Sequence, residues 1–284
     1  MDDDLIRQIR YSENFSEYAP FFDYEWVEGF LQRGDSAGVS RSTEQLVLMW
    51  KGASLVRSMS WLMINSISDT ISNNAYLNEP LSIQIVTAMS EKITKQSNLG
   101  GIFLDGPTRA GLVREIKNVE SEVRSNLEKC ELRQDPAETW VKYLEIQDFG
   151  LAVWHAELGV FSQLYFAFEN FLVQALEEKL GIEGVRADCL KRHMLEHFDE
   201  ALFNRMWGDR PIAFARLVRH AITHNGAYIT PKLEGYKDWL VLDDRGGISI
   251  LPEQTETLYR DLIGRAEELV LRISELEANG VTPS

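Results

Sequence analysis

The chain has 284 residues, 44% of them apolar, and a formal net charge of −15. Its length suits one large globular domain or two modest ones, with a core that needs neither disulfides nor metals. The acidic balance excludes indiscriminate nucleic-acid binding, which draws its affinity from neutralising phosphates, but it leaves room for a small basic site on an acidic body. The two cysteines, Cys130 and Cys189, are far apart and in no metal-type spacing, so they read as reduced thiols. The opening "MDDDLIRQIR" has no apolar secretory segment. The most apolar stretch, "LVLMWKGASLVRSMSWLMINSIS", is broken by Lys51 and Arg57 and does not suit a membrane span. The expectation is a cytoplasmic protein.

Taken in chain order, roughly the first 40 residues mix acids and aromatics with little pattern, and would be ordered by packing on the rest. Leu46, Met49, Trp50, Ala53, Val56, Met59, Leu62 and Met63 recur at three- and four-residue spacing, which predicts a helix from about Thr43 to Ser72. A second helix is predicted over Leu81 to Gln96, followed by the loop "NLGGIFLDGPTRAG". Pro107 opens a further helix to Cys130, with Asp105 as its candidate cap. From Pro136 to Leu180 the pattern predicts one long helix, or two with a kink, stopped by Gly181. A helix over Arg186 to Met206, the turn "WGDRP" and a helix starting at Pro211 come next. The alternating "DWLVLDDRGGISIL" predicts a hairpin turning at Asp243 to Gly247, before a last helix over Pro252 to Ala278. The fold class is therefore all-α with a small β-hairpin before the last helix. A rise in aromatic content after "LRQDPAE" places a boundary between a helical N-terminal region, 1–135, and a helical domain, 136–284.

One segment reverses the sign of the chain. Between Phe203 and Thr230 there are four arginines and two histidines against one acid, Asp209. The core of that segment is "RLVRHAITHNGAY", Arg216 to Tyr228. On an ideal helix Phe214, Ala215, Leu217, Val218, Ala221 and Ile222 share one side. Arg216, Arg219, His220, Thr223 and His224 share the other, within an arc of roughly 140°. Solvent faces elsewhere in the chain are rich in Glu and Lys, as in "EIKNVESEVRSNLEKCE". Cations packed together without acids repel one another unless an anion or a partner carboxylate sits among them. Asn225-Gly226 predicts a left-handed cap that fixes the position of His224. These features alone leave a phosphate site and a structural polar face equally open.

"RHAITHNGAYI" resembles the signature of HEPN (higher eukaryotes and prokaryotes nucleotide-binding) domains, in which ribonuclease members carry an arginine, a polar residue, a short spacer and a histidine. In this chain those positions are Arg219, His220 and His224. "LYFAFENFLVQALEE" resembles the preceding long family helix, where an acid such as Glu169 is common. "HNGAYITPKL" with the later hairpin fits the family layout, so the resemblance covers about Pro136 to Ala278. One departure is His220, where the family most often has Asn. The resemblance implies a helical bundle and a metal-independent endoribonuclease of toxin or antiphage-defence type, needing no cofactor. It implies a homodimer through the motif helix, RNA as substrate, and an inhibitory or sensor partner protein.

The implied chemistry suits these side chains. RNA carries its own nucleophile, the 2′-hydroxyl, and a metal-free site needs an imidazole to move protons. It also needs a fixed cation on the phosphoryl oxygens, where charge builds, and the forked guanidinium supplies it. His224 is accordingly expected as acid/base, Arg219 as phosphate clamp and His220 as an orienting group, with Arg216, Asn225 and Glu169 in substrate binding. The alternative is a non-catalytic HEPN-like binding or dimerisation module, acting as sensor or adaptor. A catalytic site should leave His224 partly exposed at a groove. A module should bury His224 or tie Arg219 to an acid such as Glu169. A weaker reading is a nucleotide or second-messenger binder that uses the same arginines. Elsewhere, His193 and His197 read as a surface pair, His155 as an interior histidine, and the Phe161, Tyr165, Phe168, Phe171 stripe as core or dimer surface. No P-loop and no nucleophile elbow is present.

Overall fold

The computed structural model describes residues 12–70, 135–181, 184–243 and 245–278, with isolated positions between 87 and 121. Two compact units are formed, one from Met1–Leu62 with Trp140–Ser284, the other from Met63–Thr139. The expected helix at Leu81 to Gln96 lies outside the described residues except for Thr87, which is helical. So do the loop after it and most of the Pro107 to Cys130 helix, whose described positions are helical. In the second unit helical backbone covers 63–70, and the Asp135 carboxylate accepts from the Ala137 N–H at 2.9 Å, capping the helix that starts at Pro136.

The first unit is all-α apart from one short hairpin. Its helices are α1 (Tyr24–Ser36), α2 (Ser40–Arg57), the part from Trp140 of α3 (Pro136–Leu144), α4 (Gln147–Leu180), α5 (Leu190–His197), α6 (Glu200–Phe203), α7 (Arg210–His224) and α8 (Pro252–Ala278). Strands β1 (Val241–Leu242) and β2 (Ile248–Ser249) pair antiparallel, Val241 opposite Ser249. The spine is α4, 34 residues long, and α2, α7 and α8 all pack along it. Its aromatic stripe of Phe161, Tyr165, Phe168 and Phe171 is buried, so that stripe is core. Gly181, with φ 66°, ends the helix in the left-handed conformation that a residue without Cβ adopts freely.

Residues 12–62 build the same core as the C-terminal helices. Trp50 of α2 is fully buried and its Nε1 donates to the Leu164 carbonyl of α4 at 3.1 Å. Val39, at the start of α2, has no side chain that can cap. Glu178 of α4 does so instead, accepting from the Arg41 and Ser42 N–H groups at 3.0 Å each, where the helix dipole favours an anion. Gly34 of α1 lies so close to Thr43 that a Cβ there would collide with it. Arg57, the last residue of α2, is buried and pairs with Glu157 of α4 at 3.4 Å and Glu256 of α8 at 3.2 Å. Thr255 donates to the other oxygen of Glu157. Burial is the main reason the Glu157 carboxyl titrates above its usual range, and the Arg57 charge opposes that shift.

The segment expected as one helix from Arg186 to Met206 is broken. A 3-10 turn at Ala187–Cys189, α5, α6 and a π turn at Asn204–Gly208 replace it. Phe198 leaves helical geometry (φ −129°, ψ −143°), and Asp199 caps the restart by accepting from the Leu202 N–H at 2.7 Å. Cys189 is a free thiol. No described helix is long and apolar enough to cross a membrane.

Candidate functional site

Helix α7 is fastened at both ends. At its start Asp209 accepts from the Ile212 N–H at 3.2 Å, and Pro211 occupies the first turn, where a missing N–H costs nothing. The Asp209 carboxylate is itself held by Arg265 of α8 at 2.8 Å. That guanidinium is buried, bonded also to Asp261 at 2.7 Å and to the Arg205 carbonyl. At the other end the Ala221 carbonyl accepts from both Asn225 (2.9 Å) and Ala227 (3.0 Å). Gly226 and Ala227 take left-handed φ values of 62° and 64°, while Asn225 stays at −123°. The left-handed turn expected at Asn225-Gly226 is thus one residue further along. The Ala227 carbonyl then accepts from Ile248 at 2.7 Å and Tyr228 bridges to Gly247, so the hairpin holds the cap.

The faces of α7 divide much as its spacing predicts. Ile212, Phe214, Ala215, Val218 and Ala221 are buried, and Leu217 and Ile222 half-buried. On the outward side His220, Thr223, His224 and Asn225 are exposed, and Arg216 and Arg219 half-buried. The His220 and His224 rings lie 4.7 Å apart, centroid to centroid, tilted by 47°. Thr223 turns its hydroxyl back onto the Arg219 carbonyl at 2.8 Å.

Both arginines rest on aromatic faces. Arg216 lies over the Trp207 ring, 4.6 Å from its centroid, and donates to the Trp207 carbonyl at 3.2 Å. Arg219 lies over Phe166 of α4 at 5.2 Å and pairs with Glu169 at 3.0 Å. Such stacking removes water from one face of a guanidinium and sets its plane. Burial raises the Glu169 carboxyl above its ordinary pKa, opposed first by Arg219 and then by Arg216. Beneath them the Tyr165 hydroxyl is buried beside Glu169 and Arg216. It is held well above the usual phenol range, by burial first and by the Glu169 charge second.

The fold therefore gathers Arg216, Arg219 and Glu169 on one side of the helix row and sets His220 and His224 together in solvent, with Asn225 at the end. Of the two contrasting expectations each is met in one particular: His224 is exposed, and Arg219 is tied to Glu169. Trp207 and Phe166 join the site without belonging to any sequence motif. The available signals were Phe166 three residues before Glu169, which places both on one face of α4, and a Trp just before the turn into α7. A cleft of about 420 Å³ opens beside α7, lined by Arg216, Leu217, His220, Asn225, Thr230, Pro231 and Lys232. A larger one of about 640 Å³ lies at the start of the helix, with Phe161, Phe214 and Trp239 beside Asp238, Glu253 and Asp261.

The other histidines differ from expectation. His193 is buried, its Nδ1 3.5 Å from Glu196, because its face of α5 turns inward. His155 is exposed against Trp154, centroids 4.6 Å apart, since its position on α4 points away from the core. Among the described residues no group of three or more His, Cys, Asp or Glu side chains converges on a metal position. In comparisons with known proteins, no family model, no curated protein and no solved structure matches the chain.

Proposed function

We propose that the chain is a HEPN-type, metal-independent endoribonuclease that acts in the cytoplasm as a toxin or antiphage-defence effector. The observation that carries this reading is the exposed His220–His224 pair, on the same outward side of one rigid helix as two oriented guanidiniums. In the reaction the 2′-oxygen attacks the adjacent phosphorus. A neutral imidazole takes the 2′-hydroxyl proton, the P–O5′ bond breaks, and a proton is delivered to the departing 5′-oxygen, leaving a 2′,3′-cyclic phosphate. His224 carries the proton transfer, Arg219 meets the charge on the phosphoryl oxygens, and His220 with Asn225 orients the strand. Two copies meeting along α7 would double the positive charge at the groove while the acidic bodies stay outside it.

The Arg219–Glu169 pair favours a second reading, a non-catalytic module in which this arginine is structural. In the ribonuclease reading, incoming phosphate competes with Glu169 for Arg219. Incubating the pure protein with mixed RNA in excess EDTA, beside His224→Ala, separates the two. Cleavage by the wild type that His224→Ala loses supports the nuclease. RNA left intact by a folded wild-type dimer supports the module.

A further inference from the structure

We infer that the cleft between α7 and the Thr230–Lys232 loop is a phosphodiester-binding subsite for a single RNA strand, next to the histidine pair. The inference rests on the reading that this helix face handles RNA. Its lining holds Arg216, His220 and Lys232 and no carboxylate. The other described cavities each carry at least two acids: Glu177 and Glu178 in one, Asp238, Glu253 and Asp261 in another, Asp23 and Glu256 in a third. In a chain of net charge −15, a cleft lined by Arg216, Lys232 and His220 with no carboxylate in its lining departs from the overall balance, and Glu169 behind Arg216 offsets only part of that charge.

The donors are complementary. Arg216 is preset by its stacking on Trp207 and its bond to the Trp207 carbonyl, so little freedom is lost when it takes an anion. Lys232 is exposed and has no carboxylate partner among the described residues, so a phosphate displaces nothing from it. Asn225 and Thr230 add neutral donors, and Leu217 gives an apolar wall. The loop is fixed: the Ile229 N–H donates to the Gly246 carbonyl at 2.9 Å, and Leu233 is fully buried. His220 lines the cleft and also faces His224 at 4.7 Å, so a strand seated here continues directly to the histidine pair.

The cleft has no aromatic lining besides the His220 ring, so it holds backbone rather than stacked bases, and binding is salt-dependent and tolerant of sequence. The test uses the full chain and a labelled, 2′-O-methylated oligoribonucleotide, which cannot be cleaved because its nucleophile is blocked. Affinity is measured from 50 to about 200 mM salt. Lys232→Gln, at an exposed position that leaves the fold intact, is expected to weaken binding roughly threefold to tenfold and to lower the salt slope by about 0.7, one phosphate contact on a single strand. An unchanged slope overturns the subsite whether or not the protein cleaves RNA. A Lys232-dependent slope in a protein that never cleaves RNA keeps the subsite and removes only the nuclease. Equal displacement by a mononucleotide and by inorganic phosphate, at concentrations matching the oligonucleotide's, also overturns it, because a site for a continuous strand prefers the strand.

Discussion

Glu169 of α4 holds Arg219 of α7 at 3.0 Å, and the aromatic ring of Phe166 backs the same guanidinium. The carboxyl is largely buried and the arginine about a quarter exposed, so this is a partly desolvated pair. Whatever anion the helix face accepts must contend with it. Glu169→Gln keeps the shape and removes the charge. Affinity for uncleavable RNA is expected to rise roughly threefold to tenfold, the effect of about 0.7–1.4 kcal/mol of released pairing. Unchanged or weaker binding, measured by anisotropy, would count against Arg219 as a phosphate clamp.

The same pair gives a pH dependence. Burial raises the Glu169 pKa in the folded state above its ordinary value. Its contribution to stability is therefore fully present below the ordinary carboxylate range and is lost as pH rises through the raised value. Over that window, falling pH also neutralises Glu169 and frees Arg219. RNA affinity should thus climb on acidification, and Glu169→Gln should remove the part due to this carboxyl. If wild type and variant follow parallel curves from the ordinary carboxylate range upward, the coupling is absent.

His224→Ala is a clean test of chemistry because the ring is exposed and carries none of the core. Cleavage is expected to fall by about 100-fold or more, with thermal unfolding moved by no more than about 2 °C. Single-turnover cleavage and a melting curve on one preparation give both readings.

Asp209→Ala should be costly for a different reason. It removes the cap of α7 and takes one carboxylate from the buried Arg265, which keeps Asp261. The loss is expected at about 2–4 kcal/mol in urea unfolding. Asp209→Asn, which retains the capping oxygen, should lose less.

Glu157→Ala leaves Arg57 buried at the junction of α2, α4 and α8 with Glu256 as its remaining charged partner among the described residues. Destabilisation of about 3–5 kcal/mol is expected by denaturant titration. A smaller change than that from a surface Glu→Ala would mean the pair contributes nothing net.

Local patterns were legible where local forces decide. The bounds of the last helix, Pro252–Ala278, follow from its proline start and apolar spacing, and Gly181 marks the end of α4. The two-sided character of α7 was equally plain, because periodicity alone sorts its residues. The burial of Arg57 and Arg265 was not legible: Arg57 meets Glu157 and Glu256 from distant helices, and Arg265 takes the distant Asp209 besides Asp261 four residues before it. The break at Phe198 was hidden as well. Asp199 reads as an ordinary helix-surface acid until its side chain is seen capping a new start. Glu169 fell between these cases: its place on the long helix could be read, but not whether it faces solvent or Arg219.

The buried guanidinium at one end of α7 and the hydrogen-bonded turn at the other have a practical consequence. Fifteen residues are pinned by anchors that do not involve the outward row. Side chains at 220, 223 and 224 can therefore be exchanged with little effect on folding, and this segment is a ready scaffold on which a different reactive surface could be engineered.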